Sequence, residues 1–185
     1  MHILNSKKGT FFIGDTLINR HPGTNTLVDV ARLMEGAVRV FNHEPVMAMA
    51  SYSNFGSDTV GSPAEVHEAV RILQEEDPSR LIDGEMQINI ALDKELRDRK
   101  YPFTRLRGKD VNTLVFPNLS SANMASKLIQ YMSPDVEVIG PLQIGLNKPI
   151  HFTDFESSVR DILTITAVAA IDAIGLFEGG LAELC

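Results

Sequence analysis

Two stretches of this chain carry side chains suited to chemistry. In the first, Ile139 to Thr164, the cations Lys148 and Arg160 and the carboxylate of Asp161 surround a Ser157-Ser158 pair, and apolar positions follow at Val159, Ile162, Leu163 and Ile165. A serine hydroxyl accepts a bond from an orphan N–H at a helix start, so the pair predicts an N-terminus with Asp161 in the first turn. Free N–H groups at such an end attract phosphate, and Lys148 and Arg160 are of the type that joins them. The plainer readings stand beside these: Asp161 as a complement to the helix dipole, Lys148 and Arg160 as solvated cations. The second stretch is Ser51-Tyr52-Ser53-Asn54-Phe55-Gly56-Ser57. Its small polar residues Ser53, Asn54, Gly56 and Ser57 would let a ligand approach the backbone closely, although a surface turn has the same composition.

The elements that must position these residues follow from the apolar pattern. Val46 to Ala50 is a continuous apolar segment of strand length, and it delivers the Ser51–Ser57 loop at its carboxyl end, where ligands gather in open α/β sheets. Thr10-Phe11-Phe12-Ile13 before Gly14, Leu81-Ile82-Asp83, Asn112 to Phe116 and Val136 to Ile139 read as further short strands. Between them, apolar residues recur at helical spacing from a Thr26 cap to Phe41, from a Ser62-Pro63-Ala64-Glu65 capping box to about Glu76, from Gly84 to about Lys100, and from a Ser120 or Ser121 cap to Tyr131. Asn123 falls near the start of the last of these, at the edge where a ligand would lie. Strands alternating with helices predict an α/β domain in three layers, α/β/α, with a largely parallel sheet.

Bulk properties narrow the classes. With 185 residues, 44% hydrophobic and 22% charged, the chain reads as one globular domain over 1–185 rather than a disordered segment. A formal charge of −7 without a basic block disfavours a nucleic-acid partner. No apolar run approaches a membrane span, and Met1 to Lys8 lacks the order of a signal peptide, so no membrane partner and a cytoplasmic location are expected. The five histidines show no metal-like spacing, and the single cysteine is Cys185, so no metal site is expected. Tyr101 to Lys109 interleaves aromatics with cations, and in so acidic a chain it suggests a loop packed on a partner subunit or near ligand phosphates.

Five blocks carry a family resemblance. Gly140-Pro141-Leu142, Gly145, Lys148-Pro149-Ile150 and the capped helix with Asp161 resemble the phosphate acetyltransferase and phosphate butyryltransferase family. So do Ser51 to Ser57, Asp83-Gly84-Glu85-Met86-Gln87, Leu114 to Leu119, and Asn123 with Lys127-Leu128. Within it, the Ser51–Ser57 loop and Val159-Arg160-Asp161-Ile162 look most like the C-terminal domain of bacterial NADP-dependent malic enzymes. The resemblance implies an isocitrate/isopropylmalate dehydrogenase-like fold, of which the chain would be the second domain, with the first half absent.

The resemblance also assigns roles. The transferring enzymes place a Ser-Arg pair before the capped helix and an Asp inside it, the Arg neutralising the acyl phosphate and the Asp taking the thiol proton of coenzyme A. Asp161 fills the Asp position, whereas Asp154 and Phe155 stand where the Ser and Arg belong, and a phenyl ring does not replace a guanidinium. Another departure is Asn89, where the family usually has Asp. The leading expectation is thus a catalytically degenerate domain that binds acetyl-CoA as an allosteric regulator through Ser53, Asn54, Gly56, Ser57, Asn123, Lys148 and Arg160, and builds a homo-oligomer. NADP and a divalent metal would belong to a separate N-terminal malic enzyme domain. The alternatives are an active transferase of acetyl or butyryl groups between phosphate and coenzyme A, and a dimerisation scaffold without ligand.

Overall fold

The computed structural model describes residues 1–153, 155 and 157–177. Its centre is a six-stranded sheet in the order β4-β3-β5-β2-β1-β6. The strands are β1 (His2–Ser6), β2 (Gly9–Gly14), β3 (Met47–Ala50), β4 (Ile82–Met86), β5 (Thr113–Val115) and β6 (Glu137–Ile139). β4, β3, β5 and β2 pair in parallel, and β1 is antiparallel to both β2 and β6, so β1 is the one reversed strand. The largely parallel sheet is as expected. The sequence reading missed β1, because His-Ile-Leu-Asn-Ser has no clean alternation and its place is set by a two-residue turn that lays Ser6 opposite Gly9.

Among the described residues six helices cover the two faces: α1 (Thr24–Val40), α2 (Ser62–Glu76), α3 (Ile88–Leu92), α4 (Lys94–Lys100), α5 (Leu119–Met132) and α6 (Val159–Phe177). On one face Leu27, Ala31, Met34 and Val38 of α1, Val66, Ala69 and Leu73 of α2 and Ile165 of α6 pack on Phe12, Met47, Met49, Ile82 and Val115. On the other, Ile90 and Ala91 of α3, Ala122 of α5, and Leu106 and Val111 pack on Leu4, Ile13, Ala48, Ala50, Met86 and Leu114. The result is the three-layer α/β/α arrangement. Each such fully buried aliphatic side chain contributes roughly 1.5–3 kcal/mol by leaving water.

β4 departs most from its sequence reading. It continues through Met86 where a helix was expected, and the expected single helix to Lys100 is two helices, separated where Asp93 caps α4 by accepting the Leu96 N–H at 2.8 Å. Met49 pairs with Gly84 and Ala50 with Met86, so Glu85 is the extra residue of a bulge. That insertion explains why Ile82 and Met86, four apart, enter opposite cores. Gly84 has φ +145°, and a Cβ there would stand 2.6 Å from the Met49 carbonyl oxygen, so no other residue fits.

The helix starts also shift. α2 begins at Ser62 itself, without a side-chain cap bond, because Gly61 takes φ +67° and turns the chain one residue earlier. α1 begins at Thr24 rather than after Thr26. Asn118, not a serine, caps α5, its Oδ1 accepting the Ser121 N–H at 3.0 Å.

Candidate functional site

The carboxyl ends of β3 and β4 meet at a buried carboxylate. Glu85 is fully buried, placed there by the bulge. Its Oε1 accepts the Ser53 hydroxyl and the Gly56 N–H, both at 2.7 Å, and its Oε2 faces His67 Nδ1 at 3.1 Å. A carboxylate only accepts, so His67 donates through Nδ1, from a ring that is half exposed. The Glu85 carbonyl receives the Phe55 N–H at 2.7 Å.

The loop from 51 to 57 is therefore wrapped around Glu85. Ser53 is 2% exposed, and since its proton goes to Glu85, the Ser57 hydroxyl donates to Ser53 Oγ at 2.9 Å while accepting the Asn54 N–H at 3.0 Å. Asn54 Oδ1 accepts the Gln87 N–H at 2.9 Å. The loop's polar atoms are thus taken up within it: Ser53 is buried, Asn54 and Phe55 are half-buried with Phe55 against the core, and Tyr52, Gly56 and Ser57 are exposed. Phe55 has φ +48°, rare for a bulky residue and costing on the order of 1 kcal/mol, which the bonds from Glu85 and its backbone carbonyl offset. Glu85 is the site residue that sequence reasoning passed over. Its signal was present: an acid inside Ile-Asp-Gly-Glu-Met, a run otherwise suited to burial.

Asn123 lies by the end of β2, its amide donating to the Thr16 carbonyl at 3.4 Å. Thr16 Oγ1 also meets His2 Nδ1 at 2.7 Å. Burial, then the amino-terminal charge and Lys127, push the His2 pKa down to about 4.

Lys148 borders a cavity of about 410 Å³ between α1, α6 and the chain from Leu142 to His151. Leu33, Ala37, Phe41, Leu142, Ile144 and Val168 give it apolar walls, and Lys148 is exposed at its rim. Gly145 turns the wall with φ +81°, its missing Cβ leaving room for Leu33. His151 ties the wall to α6: its Nδ1 accepts the Gln143 N–H at 3.2 Å, which leaves the proton on Nε2 to donate to Asp172 Oδ2, also at 3.2 Å.

The start of α6 is a reciprocal cap. Asp161 Oδ2 accepts the Ser158 N–H at 2.8 Å and the Ser158 hydroxyl at 2.7 Å, and the Asp161 N–H reaches back to Ser158 Oγ at 3.2 Å. These bonds, Ser158 first, hold the Asp161 pKa below the usual carboxylate value. Arg160 pairs with Glu137 at the beginning of β6. Phe155 is fully exposed. Asp154 and Cys185 lie outside the described residues.

The expected site residues fall in separate groups. β3 and β6 are four strand positions apart, roughly 19 Å at ordinary strand spacing, so the Ser53–Ser57 loop beyond β3 and the Arg160-Asp161 cap beside β6 are separate. Among the described residues no group of three or more His, Cys, Asp or Glu is arranged to hold a metal, and no helix is long and apolar enough to cross a membrane.

This fold and these blocks match the family model for phosphate acetyl/butaryl transferase over residues 1–170, and the chain belongs to that family. It is 34% identical over 173 residues to an NADP-dependent malic enzyme of Escherichia coli, covering 94% of this chain and 23% of that protein. Identity is 37% over 175 residues to a phosphate acetyltransferase of Treponema pallidum, covering 93% of this chain and 52% of that one. A phosphotransacetylase structure from Streptococcus pyogenes superimposes with a TM-score of 0.86 at 31% identity, over 94% of this chain and 53% of that one. The chain thus spans about half the length of these acyltransferases and about a quarter of the malic enzyme.

Proposed function

We propose that the chain is the second half of the family's two-domain unit, part of a longer protein with an N-terminal malic enzyme domain, and that it binds acetyl-CoA as a regulatory ligand without transferring the acetyl group. The observation that carries this reading is the Asp161 carboxylate, taken up twice by Ser158 and held at low pKa. A carboxylate so placed is a weak base for a thiol. Phe155, standing where the resemblance asks for an arginine, adds no charge to grip an acyl phosphate. The cavity beside Lys148 has the volume and apolar walls for the thioester arm of acetyl-CoA, and Lys148 at the rim has the charge for a phosphate. NADP and the divalent metal would serve the other domain.

An apolar stripe on α6, with Ile162, Leu163, Ile171 and Ile174 exposed, supports burial of this helix against the rest of the longer protein or a second copy. A working acetyltransferase is the second reading, favoured by the 37% identity to the Treponema protein.

Calorimetric titration of acetyl-CoA into the longest natural polypeptide containing this chain tests the binding claim. Binding weakened roughly fivefold or more in Lys148→Ala is expected, the scale of one lost charge-assisted contact. Absence of binding to the unaltered protein at millimolar acetyl-CoA would overturn it.

A further inference from the structure

Two irregular segments, 51–57 after β3 and 101–110 between α4 and β5, meet in a cluster of rings. Phe55 lies 4.7 Å from Tyr101 and 5.2 Å from Phe103 between centroids, and Tyr101 and Phe103 are 6.0 Å apart in an edge-to-face arrangement. Phe103 is 68% exposed, so the cluster turns a ring toward solvent rather than closing on itself.

Three buried ionisable residues brace this cluster. Glu85 fixes the Phe55 loop as described. Asp83 Oδ2 accepts the Thr104 hydroxyl at 2.6 Å and the Arg105 N–H at 2.8 Å. The Arg97 guanidinium, also fully buried, donates to the carbonyls of Ala91, Leu106 and Lys109. Burying charged groups is unfavourable unless each is bonded, and a plain surface turn needs none of them. Glu85 fixes the Phe55 side of the cluster, while Asp83 and Arg97 hold residues 101–110 in one shape although that segment has no helix or strand.

Cations gather here. Arg99 and Lys100 at the end of α4 and Arg105, Arg107 and Lys109 in the segment form no ion pair among the described residues, in a chain of net charge −7. Consecutive turns, Thr104 N–H to the Tyr101 carbonyl at 3.0 Å and Arg107 N–H to the Thr104 carbonyl at 3.3 Å, fix the backbone that carries both rings and cations, and the exposed Arg105 side chain donates to the Pro78 carbonyl at 3.3 Å. An exposed ring stacks on a planar base, and neighbouring guanidinium and ammonium groups bind phosphate.

We infer that the Phe55–Tyr101–Phe103 cluster with Lys100, Arg105 and Arg107 is a preformed binding site for a nucleoside phosphate, the base stacked on Phe103 and the phosphates against the cations. It lies by β3 and β4, away from the Lys148 cavity by β1 and β6, and does not depend on the acetyl-CoA reading.

ATP is the probe, titrated by calorimetry and by the NMR ring signals of Phe103 and Tyr101 in the longest natural polypeptide, with adenosine and inorganic triphosphate as separate arms. Expected results are ATP binding with ring shifts, about tenfold weaker in Phe103→Ala, the scale of one lost base stack. The Arg105→Ala/Arg107→Ala pair should weaken ATP and triphosphate and leave adenosine unchanged, and Lys148→Ala should leave ATP unchanged. Phe103 is exposed, so its variant is expected to melt with the unaltered protein. The proposal is overturned by no ring shift at millimolar ATP, by equal ATP affinity in Phe103→Ala, by loss of ATP binding in Lys148→Ala, or by a Phe103→Ala protein that changes only its sedimentation and so marks a protein contact.

Discussion

The Asp161 carboxylate and Ser158 close a reciprocal pair at the head of α6, with Ser158 Oγ 2.7 Å from Asp161 Oδ2 and the Asp161 N–H 3.2 Å from the same hydroxyl. Each residue satisfies an orphan donor of the other, so the pair stabilises the helix whatever ligand is present. Ser158→Ala is expected to lower stability by about 1 kcal/mol, read as a lower urea midpoint at unchanged slope. An unchanged midpoint would show that the cap is not formed in solution.

Glu85 should matter more for shape than for charge on the surface. In Glu85→Gln one amide oxygen must replace two acceptors, so the amide hydrogens will confront either Ser53 and Gly56 or the proton on His67 Nδ1. Expected are a loss of roughly 1–3 kcal/mol and faster hydrogen exchange at the Gly56 and Phe55 amides. Exchange as slow as in the unaltered protein would mean that the carboxylate does not hold the loop.

Much of the fold was legible because local signals and packing agreed. The run Val46 to Ala50 had to be a central strand, and the apolar spacing from Leu27 to Val38 had to be a helix with one buried side. The misses differ in origin. The bulge at Glu85 depends on distant partners, Met49 with Ser53 and His67, and β1 is held by β6 from far along the chain, whereas the hairpin of β1 with β2 and the Asp93 cap that splits α3 from α4 are local signals that the sequence reading did not use. Asp161 at the head of a capped helix was legible, and its engagement by Ser158 follows the three-residue spacing of a capping box, a signal the sequence reading did not use. The bonding of Ser53 and Gly56 to Glu85 was not legible, since composition gives loop residues without giving the carboxylate they face.

His2 gives the protein a pH dependence. Its folded pKa of about 4 lies below the ordinary histidine value of 6.5, so the unfolded chain binds the proton more readily between these values. The stabilisation is fully present above pH 6.5 and is lost as the pH falls toward 4, by at most about 3 kcal/mol from this group. Urea denaturation at steps from pH 7 to pH 4 should show this fall, and a shallower one in His2→Asn. The same slope in both proteins would assign the fall to other groups.

Gly145 controls the wall of the Lys148 cavity. An added methyl group would lie 2.8 Å from Leu33 Cδ1 on a backbone with φ +81°. Gly145→Ala is expected to cost about 1 kcal/mol or more and to lower acetyl-CoA affinity by displacing the Leu142–His151 segment. Unaltered affinity at reduced stability would place acetyl-CoA elsewhere.

The most direct test of the account is acetyl-CoA formation from acetyl phosphate and coenzyme A by the longest natural polypeptide containing this chain, with acetyl-CoA binding measured on the same sample. The account predicts binding without turnover, in keeping with Asp161 held by Ser158 and Phe155 in the arginine position. Turnover at about 1 per second or faster would contradict it and make the chain part of a working transferase.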